Sequence, residues 1–477
     1  MNVLKIRFVL LFFLLLNFYA TGYSTDKLVT YSAPQGALLN EDFSIRVRQP
    51  GKEWQVIPNH LIKVDEVRET KHHVEEASMA YFDFSGEVEV SVTFNNGPIS
   101  KARIRPLSYG IEPTVKGNTL TFKLDQPRNL SVEVNEDIFH NLHLFANPII
   151  ENIPDRNDPD VIFFGPGIHE FEDDKFAVTS NKTVYIDGGA ILRGQLLIHN
   201  GQNIKVIGRG MVEHTVKMGV HISNSKNIEV EGIFTTQCAT GGSDSVTIRN
   251  VKSISYYGWG DGLNVFASNN VFFDRVFCRN SDDCTTVYAT RKGFEGGCHN
   301  IVMENSTLWA DVAHPIMIGI HGNAKNFDII EDLIYRNIDI LDHKEAQLDY
   351  QSCLAINGGD NNIIRNVLFE DIRIEDFRQG QLFNIRIFYN KKYCEAPGMG
   401  IENVHFKNIN YNGNNAELSI IAGYNNDRKV KNITFENLRI NGRLITDNMP
   451  GKPAWYKTGD MARIFIGEHV EGVSFIE

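Results

Sequence analysis

A short phrase recurs through the C-terminal two-thirds of the chain and constrains its fold more than any other feature of the sequence. The phrase opens on Asn or another polar residue, continues with alternating β-branched residues and often closes on a second Asn. It occurs as NIKVIG at 203, NIEVEG at 227, SVTIRNV at 245, NVFFDRV at 270, NIVMENS at 300, NFDIIED at 326, NVLFEDI at 366, NVHFKNI at 403 and NITFENL at 432. The intervals between the first seven starts are 24, 18, 25, 30, 26 and 40 residues.

A β-rich repeat with a period of about 20–50 residues predicts a solenoid, and here a right-handed parallel β-helix over residues 156–477. Each coil buries only part of its apolar face, so the core forms only when coils stack. A doubly wound α/β fold is excluded, because no long amphipathic helices separate the strands. A β-propeller is the structural alternative, but its blades repeat more evenly and are joined by antiparallel hairpins.

Residues 25–155 carry a different pattern. Short alternating runs such as FSIRVRQ, EVEVSVTF and NTLTFKL are separated by turn residues, and a polar stretch at 150–160 contains prolines. Short strands at regular spacing predict a β-sandwich, and the polar stretch predicts a junction. We therefore expect an all-β protein in which an N-terminal β-sandwich precedes the right-handed parallel β-helix.

The first residues read MNVLKIRFVLLFFLLLNFYATGYSTDK. A short basic region, a short apolar run and small residues are typical of a secretory signal peptide, which we assign to residues 1–24. The apolar run is shorter than the roughly 20 residues that a transmembrane anchor needs. The sequence therefore predicts a secreted or periplasmic protein without a membrane anchor.

The composition limits the possible partners. A net charge of −12 leaves no basic surplus with which to bind the phosphates of a nucleic acid. The six cysteines include no C-x-x-C pair, so a zinc site is not indicated. Cys278 and Cys284 could form a bridge or remain as buried free thiols. The oligomeric state is left open.

The stretch YYGWGDGLNVFASNNVFFDRVFCRNSDDCTTVYATR, residues 256–291, places Asp261 one expected coil before Asp282 and Asp283. Coils stack about 4.8 Å apart, so the three carboxyl groups should be neighbours. Crowded carboxylates raise one another's pKa, and a protonated carboxyl beside an ionised one can cleave a glycosidic bond. The alternative is a turn role, which is common for Asp. Adjacent residues of a strand also point to opposite faces, so both can face a groove only at a strand end or bulge.

The segment GDGLNVFASNNVFFDRVFCRNSDDCTTV resembles the motif region of polygalacturonases, glycoside hydrolase family 28, and AHPIMIGIHGN at 313–323 resembles that family's Gly-His-Gly element. The resemblance implies that Asp282 is the general acid and that Asp261 and Asp283 hold and activate the water. It implies inversion at the anomeric carbon and places His314 where it tunes or orients the acid. No cofactor and no metal are implied.

The family's next element, an Arg-Ile-Lys that binds the galacturonate carboxylate, is absent, and SCLAINGGDN at 352–361 stands in its place. Without that cationic pair, an anionic sugar lacks its charge-assisted partners. The related family 49, of dextranases and isopullulanase, also joins a β-sandwich to a β-helix. The closer resemblance to that family predicts an exported, inverting endo-hydrolase of a neutral α-glucan such as dextran or pullulan.

Aromatic side chains that support sugar rings should line the groove of an enzyme with a polysaccharide or oligosaccharide substrate. Trp259, Tyr288 and Trp309 lie beside the motif segments, and Arg291 could bond sugar hydroxyls. The alternatives are rings stacked inside the solenoid and, for the arginine, a solvated turn.

Three other functions remain open. The first is a pectin-type hydrolase that binds uronate through Arg291 or Arg386. The second is a calcium-dependent lyase in which the aspartates supply oxygen ligands to the metal. The third is a non-catalytic, adhesin-type β-helix that binds carbohydrate.

Overall fold

The computed structural model describes residues 26–68, 71–213, 219–350 and 352–477, so the predicted signal peptide lies outside the described residues. Among the described residues, no helix has the length and apolar character needed to cross a membrane. The strands before residue 150 are β1 (Lys27–Thr30), β2 (Phe43–Arg48), β3 (Gln55–Ile57), β4 (His60–Arg68), β5 (Lys71–Ser85), β6 (Val88–Phe94), β7 (Ala102–Arg105), β8 (Thr114–Lys116), β9 (Thr119–Leu124), β10 (Arg128–Val134) and β11 (Asp137–Pro148).

The remaining elements build the C-terminal part. The first of its strands are β12 (Val161–Phe164), β13 (Gly167–Ala177), β14 (Thr183–Ile186), β15 (Ala190–His199), β16 (Gln202–Gly208), β17 (Met211–Glu213), β18 (Val220–Ser223), β19 (Lys226–Glu231), β20 (Phe234–Thr235), β21 (Cys238–Gly241), β22 (Asp244–Arg249), β23 (Lys252–Ile254), β24 (Leu263–Phe266), β25 (Asn269–Asp274), β26 (Phe277–Asn280), β27 (Thr285–Tyr288), β28 (Cys298–Ala310) and β29 (Ile316–Gly319). The others are β30 (Ile329–Asp342), β31 (Leu354–Gly358), β32 (Ile363–Ile374), β33 (Gly380–Gln381), β34 (Phe383–Ile387), β35 (Gly400–Tyr411), β36 (Ala416–Glu417), β37 (Ser419–Ala422), β38 (Val430–Glu436), β39 (Leu438–Ile440), β40 (Arg443–Ile445), the helix α1 (Thr458–Ala462), β41 (Ile464–Ile466) and β42 (Val470–Ile476).

The N-terminal strands form two sheets that share one core. One sheet contains β1, β4, β5, β7, β10 and β11, and the other contains β2, β3, β6, β8 and β9. Burial alternates along β2, where Phe43, Ile45 and Val47 point inward. Alternation with period two lets one face of each sheet pack on the other while its opposite face stays free. The predicted β-sandwich is confirmed as part of the fold class.

The C-terminal part is a parallel β-helix. Its strands form a 29-stranded sheet in which each strand pairs with strands one coil away. One face, here called the groove face, is built by β21, β24, β27, β29, β31 and β34, paired in parallel in that order. The all-β fold class is confirmed. The boundary at residues 155 and 156 stays a prediction, between the end of β11 and the start of β12.

The recurring Asn has a structural reason. Asn270 and Asn300 have φ angles of 54° and 57°, in the left-handed region that Asn tolerates better than most residues. The amide of Asn300 donates to the side-chain oxygen of Asn270 at 2.8 Å, so the turns of neighbouring coils are tied together. The coil start that the pattern placed at Asn326 lies instead at Asp332, which has a φ of 58° and accepts from Asn366 at 3.0 Å.

The interior is apolar and contains a stack of aromatic rings. Tyr335, Phe369, Phe406, Phe435 and Phe475 follow one another from coil to coil, with ring centroids 4.9–5.2 Å apart. All six cysteines are buried and free, so the predicted alternative of a Cys278–Cys284 bridge is wrong.

Buried charges join the sandwich to the β-helix. Arg279, on β26, is fully buried and forms an ion pair with Asp311 at 3.0 Å. It also donates to the sandwich, to the Asn141 side chain at 2.8 Å and to the Ile138 carbonyl at 2.9 Å. A cation removed from water in this way holds two layers in one relative position only because every donor finds an acceptor.

The prediction that Trp309 contacts substrate is wrong. Its side chain is 0% exposed. The Arg279 guanidinium lies 4.1 Å from the centre of its ring, and His143 of the sandwich meets it edge to face at 5.9 Å. The tryptophan therefore packs in the layer between the two parts of the protein and cannot reach a groove.

We expect Arg279→Met to lower the free energy of unfolding by about 3–5 kcal/mol, because Asp311 loses its closest cation while remaining buried. Chemical denaturation followed by tryptophan fluorescence measures the change. Arg275→Met is the matched control. Arg275 pairs with Asp274 at an exposed position, where a change of about 0–1 kcal/mol is expected. Equal effects of the two substitutions would contradict a special role for the buried pair.

Candidate active site

Asp261 and Asp283 lie on neighbouring coils where two strands of the groove face begin. The Gly262 N–H donates to the Asp283 carbonyl at 2.8 Å, and the pairing continues into β24 and β27. One coil further, the Cys284 N–H donates to the His314 carbonyl at 2.8 Å. Asp261, Asp283 and His314 thus hold equivalent positions on three successive coils, so the predicted stacking of the motif is confirmed.

The glycines that flank Asp261 are required by the close approach of the next coil. A Cβ at Gly262 would lie 2.4 Å from the Asn280 side-chain oxygen and 2.4 Å from the Cys284 carbonyl. A Cβ at Gly260 would lie 2.2 Å from the Ser281 hydroxyl. Since carbon and oxygen cannot approach so closely, larger residues would push Asp261 away from its neighbours.

Asp282 and Asp283 can both face the groove because neither belongs to a strand. β26 ends at Asn280 and β27 begins at Thr285, which leaves the pair in the connecting loop. Both side chains line the same groove as Asp261. The Asp283 N–H donates to Oδ1 of Asp282 at 3.0 Å, which fixes the orientation of that carboxyl group.

The Asp283 carboxylate accepts three hydrogen bonds. Its Oδ1 accepts from the His314 backbone N–H at 3.1 Å and from Nδ1 of the same residue at 2.7 Å. Its Oδ2 accepts from the Tyr288 hydroxyl at 3.0 Å. Three donors fix the orientation of this carboxyl group. Tyr288 lies in the groove lining as predicted, with its hydroxyl directed at Asp283.

His314 is buried beneath the groove. Its Nδ1 meets Asp283, and its Nε2 meets the backbone carbonyl of Tyr350. Because both ring nitrogens face acceptors, both carry hydrogen and the ring is the imidazolium. Burial alone would lower the pKa of His314, but the Asp283 charge and hydrogen bond outweigh it and raise the pKa. His314 therefore contacts Asp283, and not the predicted acid, Asp282.

The other two carboxyl groups are harder to ionise. Burial, followed by the charge of Asp283, raises the pKa of Asp261 to about 7. Burial, with the charges of Asp261 and Asp283, raises the pKa of Asp282 well above its ordinary value. The Asn264 amide limits the shift of Asp261 by donating to its Oδ2 at 2.8 Å. Asp261 therefore titrates near neutrality, Asp282 keeps its proton to higher pH, and Asp283 is hydrogen-bonded to His314.

The three aspartates line a groove of about 540 Å³. Its wall includes three of the predicted substrate-binding residues, Trp259, Tyr288 and Arg291. Trp259 is 74% exposed and has a φ of 66°, so the loop presents its ring to solvent. The remaining lining residues include His221, Gln237, Ala239, Asn264, Phe266, Lys292, Phe294, His321, Tyr350, Lys392 and Tyr393.

Three cations share the groove with the carboxyl groups. Arg291, Lys292 and Lys392 all line it, and among the described residues no carboxylate lies within ion-pair distance of any of them. Arg386 is not in the lining and donates to the Asp349 carbonyl at 3.1 Å. A role for Arg386 in binding a uronate stays a prediction.

Sequence reasoning missed several residues of the groove. Asn264 could have been found, because it stands three residues after Asp261, at the beginning of the strand β24 that follows this aspartate. Tyr350, Lys392 and Tyr393 gave no signal. They lie 36 residues or more beyond His314 in the chain and reach the site only because long loops fold back over the groove face.

The sequence comparisons agree with this geometry. The family described as Glycosyl hydrolases family 28 matches residues 196–452, which include all of the aspartates and His314. Exopolygalacturonase X from Aspergillus niger is 24% identical over 240 residues, which cover 47% of this chain and 50% of that protein. The chain thus spans about half the length of the curated relatives it matches.

Two solved structures share the fold. Dex49A from Penicillium minioluteum superposes with a TM-score of 0.66 at 13% identity, covering 94% of this chain and 96% of its own. The family 28 exopolygalacturonase from Yersinia enterocolitica gives a TM-score of 0.50 at 11% identity, covering 81% of this chain and 96% of its own. At these identities the similarity concerns the fold alone.

We expect Asp261→Asn to raise the thermal midpoint, and to raise it more at pH 8 than at pH 4. The folded protein holds the Asp261 proton up to about pH 7, against an ordinary value of 3.8. Stability is therefore lost as the pH rises through that window, and the neutral amide removes the loss. Scanning calorimetry between pH 4 and pH 8 measures the difference.

Asp244→Asn is the matched control for this experiment. The hydrogen bond from Ser245 lowers the pKa of Asp244, so its ionised form stabilises the fold and the amide should bring no gain as the pH rises. A difference between wild type and Asp261→Asn that does not change with pH would contradict the electrostatic account.

Proposed function

Because this chain belongs to family 28 of the glycosyl hydrolases, we propose that it is an exported, inverting hydrolase of glycosidic bonds in an acidic polysaccharide. The proposal rests above all on one observation: three carboxyl groups, two of them with raised pKa values, share a groove with three cations that have no carboxylate partner among the described residues. Export rests on the pattern of residues 1–24. The predicted relationship to the clan of families 28 and 49 is confirmed.

The proton carrier supplies the general acid. Asp282 has the strongly raised pKa, so it holds a proton near neutral pH and can give it to the leaving glycosidic oxygen. Asp261 takes a proton from the attacking water as the C–O bond breaks and the new bond forms on the opposite face of the sugar. The proton that Asp282 loses leaves with the alcohol product, and Asp261 gains the proton of the attacking water. Proton exchange with solvent then restores the starting protonation states of both carboxyl groups.

Asp283 and His314 act as a fixed ion pair. The imidazolium and the Tyr288 hydroxyl occupy both oxygens of Asp283, which leaves that carboxylate a position for the water and a constant negative charge next to Asp261. Burial and that charge together raise the pKa of Asp261 to about 7. His314 is thus a positioning residue that acts through Asp283.

The unpaired cations favour a substrate with carboxylate groups. Arg291 and Lys392 come from the loops that follow β27 and β34, and an anion bound to both would gain charge-assisted hydrogen bonds. The relative from Aspergillus niger is named an exopolygalacturonase. A galacturonate polymer is therefore the substrate class that we propose first.

A neutral α-glucan, the substrate predicted from the sequence, is the second candidate. It is favoured by one observation, that the coil after His314 presents Ala355 and Asn357 where the family has its Arg-Ile-Lys pair.

Release of reducing sugar from polygalacturonate, dextran and pullulan distinguishes the two candidates. Retained activity in the presence of a chelator excludes a calcium-dependent lyase. Proton NMR of the first product reports whether the anomeric configuration is inverted.

We expect Asp282→Asn to lower kcat by about 10²–10⁴-fold while substrate binding is retained, since a general acid acts in the transition state. Rates on a galacturonate oligosaccharide give the loss. A substrate with a nitrophenolate leaving group, which needs no proton, should lose much less. Equal losses on both substrates would remove Asp282 from the role of general acid.

We expect Arg291→Gln and Lys392→Gln each to raise KM for polygalacturonate about tenfold or more, since each removes a hydrogen bond to a charged group. Lys391→Gln is the matched control, because Lys391 is exposed and lies outside the groove lining. If the two groove substitutions change the rate on dextran but leave KM for polygalacturonate unchanged, the neutral glucan becomes the preferred substrate.

A further inference from the structure

The groove is covered on the side of the later coils. On the side of the earlier coils its lining includes Ala239 and His221, and Trp259 beside it is 74% exposed. On the side of the later coils, outward residues of the groove face include Met317 on β29 and Ala355 on β31. Both are 0% exposed and lie in an apolar cluster with Phe388 and Cys394.

Two segments cover that face, residues 345–350 and 388–394, which we call the end wall. Their inner contact is a parallel stack of Tyr350 on Tyr393, with ring centroids 4.8 Å apart and 12° between the planes. The Tyr393 hydroxyl donates to the Gln347 side chain at 3.1 Å, and the Asn390 amide lies 3.4 Å from the Asp349 carboxylate. The two segments therefore hold each other.

The end wall stands directly against the catalytic residues. Tyr350 meets the His314 ring edge to face at 4.4 Å and gives its carbonyl to Nε2 of the same residue. Tyr350, Lys392 and Tyr393 all line the groove that holds the aspartates. A sugar chain bound across Asp261 and Asp282 therefore meets a barrier about one coil beyond them, since coils are spaced about 4.8 Å apart.

We propose that the end wall makes this protein an exo-acting enzyme, which accepts one terminus of the polysaccharide and releases a short product of fixed length. This inference rests on the proposed hydrolase function and replaces the endo mode predicted from the sequence. The terminal sugars fill the space between the aspartates and the Tyr350–Tyr393 stack, and the body of the polymer leaves over Trp259.

The experiment follows product length with wild-type enzyme on polygalacturonate and on a galacturonate oligosaccharide labelled at its reducing end. An exo enzyme releases a single short product from the first minutes, while viscosity falls slowly for each bond broken. Labelled products of many lengths appearing at once would overturn the inference and leave the hydrolase function standing. If no substrate on a panel of acidic and neutral polysaccharides is cleaved, the hydrolase function is overturned and the inference with it.

Tyr393→Ala tests the wall itself. Loss of the stack should open the groove, so products become longer and more mixed and viscosity falls several-fold faster for each bond broken. Tyr389→Ala is the matched control, because Tyr389 lies in the same segment but contacts Tyr424 and is outside the groove lining. An unchanged product profile in a folded Tyr393→Ala variant, checked by circular dichroism, would overturn the role of the wall. If that variant does not fold, the labelled oligosaccharide still decides the mode of attack in the wild type.

Discussion

The parallel hydrogen bonds between successive coils are the interaction on which the rest of this structure depends. They convert a separation of about one coil in the sequence into contact in space. The Gly262 N–H bonded to the Asp283 carbonyl is one such bond, and the Cys284 N–H bonded to the His314 carbonyl is the next. Asn side chains at the turns repeat the same register outside the core, as between Asn270 and Asn300. A slip of one residue would turn every core side chain to the outer face.

The same stacking creates the chemistry of the groove. Water would normally screen three carboxyl groups from one another, but here they are held close and partly removed from solvent. One of them is neutralised by the buried imidazolium of His314, and the others keep protons at higher pH. This arrangement is unfavourable for folding at neutral pH, since burial and neighbouring charges oppose the ionisation of Asp261 and Asp282 that would occur in the unfolded chain. The well-packed coils around it supply the stability that the site lacks.

The sandwich contributes more than a neighbouring layer. Arg279 reaches from the β-helix into the sandwich, and Arg209 does the same through a bond of 2.9 Å to Asp83. The strands β4 and β5 also come close to the loop that precedes Asp261, where the His72 ring lies 6.3 Å from that of Tyr257. The loop that presents Trp259 is therefore supported from the sandwich side as well as from its own coil.

The sequence by itself determined the architecture and the centre of the site. Its Asn-bounded repeat specifies the coils, because left-handed turns and stacked amides favour that residue at those points. Its spacing from Asp261 to Asp282 and Asp283 specifies the carboxyl cluster, because one coil has about that length. Local patterns of this kind are visible without the fold, since each depends on residues within one or two coils.

Only the tertiary structure decided the surroundings of that cluster. It buried Trp309 against Arg279, which no local pattern distinguishes from an exposed ring. It brought Lys392 and Tyr393 to the groove through a loop, and the length of a loop does not predict where its residues lie. It also gave His314 to Asp283 and not to Asp282. The physical reason is common to all of these. The contacts join residues that are far apart in the chain, in loops and in the sandwich, where no sequence periodicity predicts them.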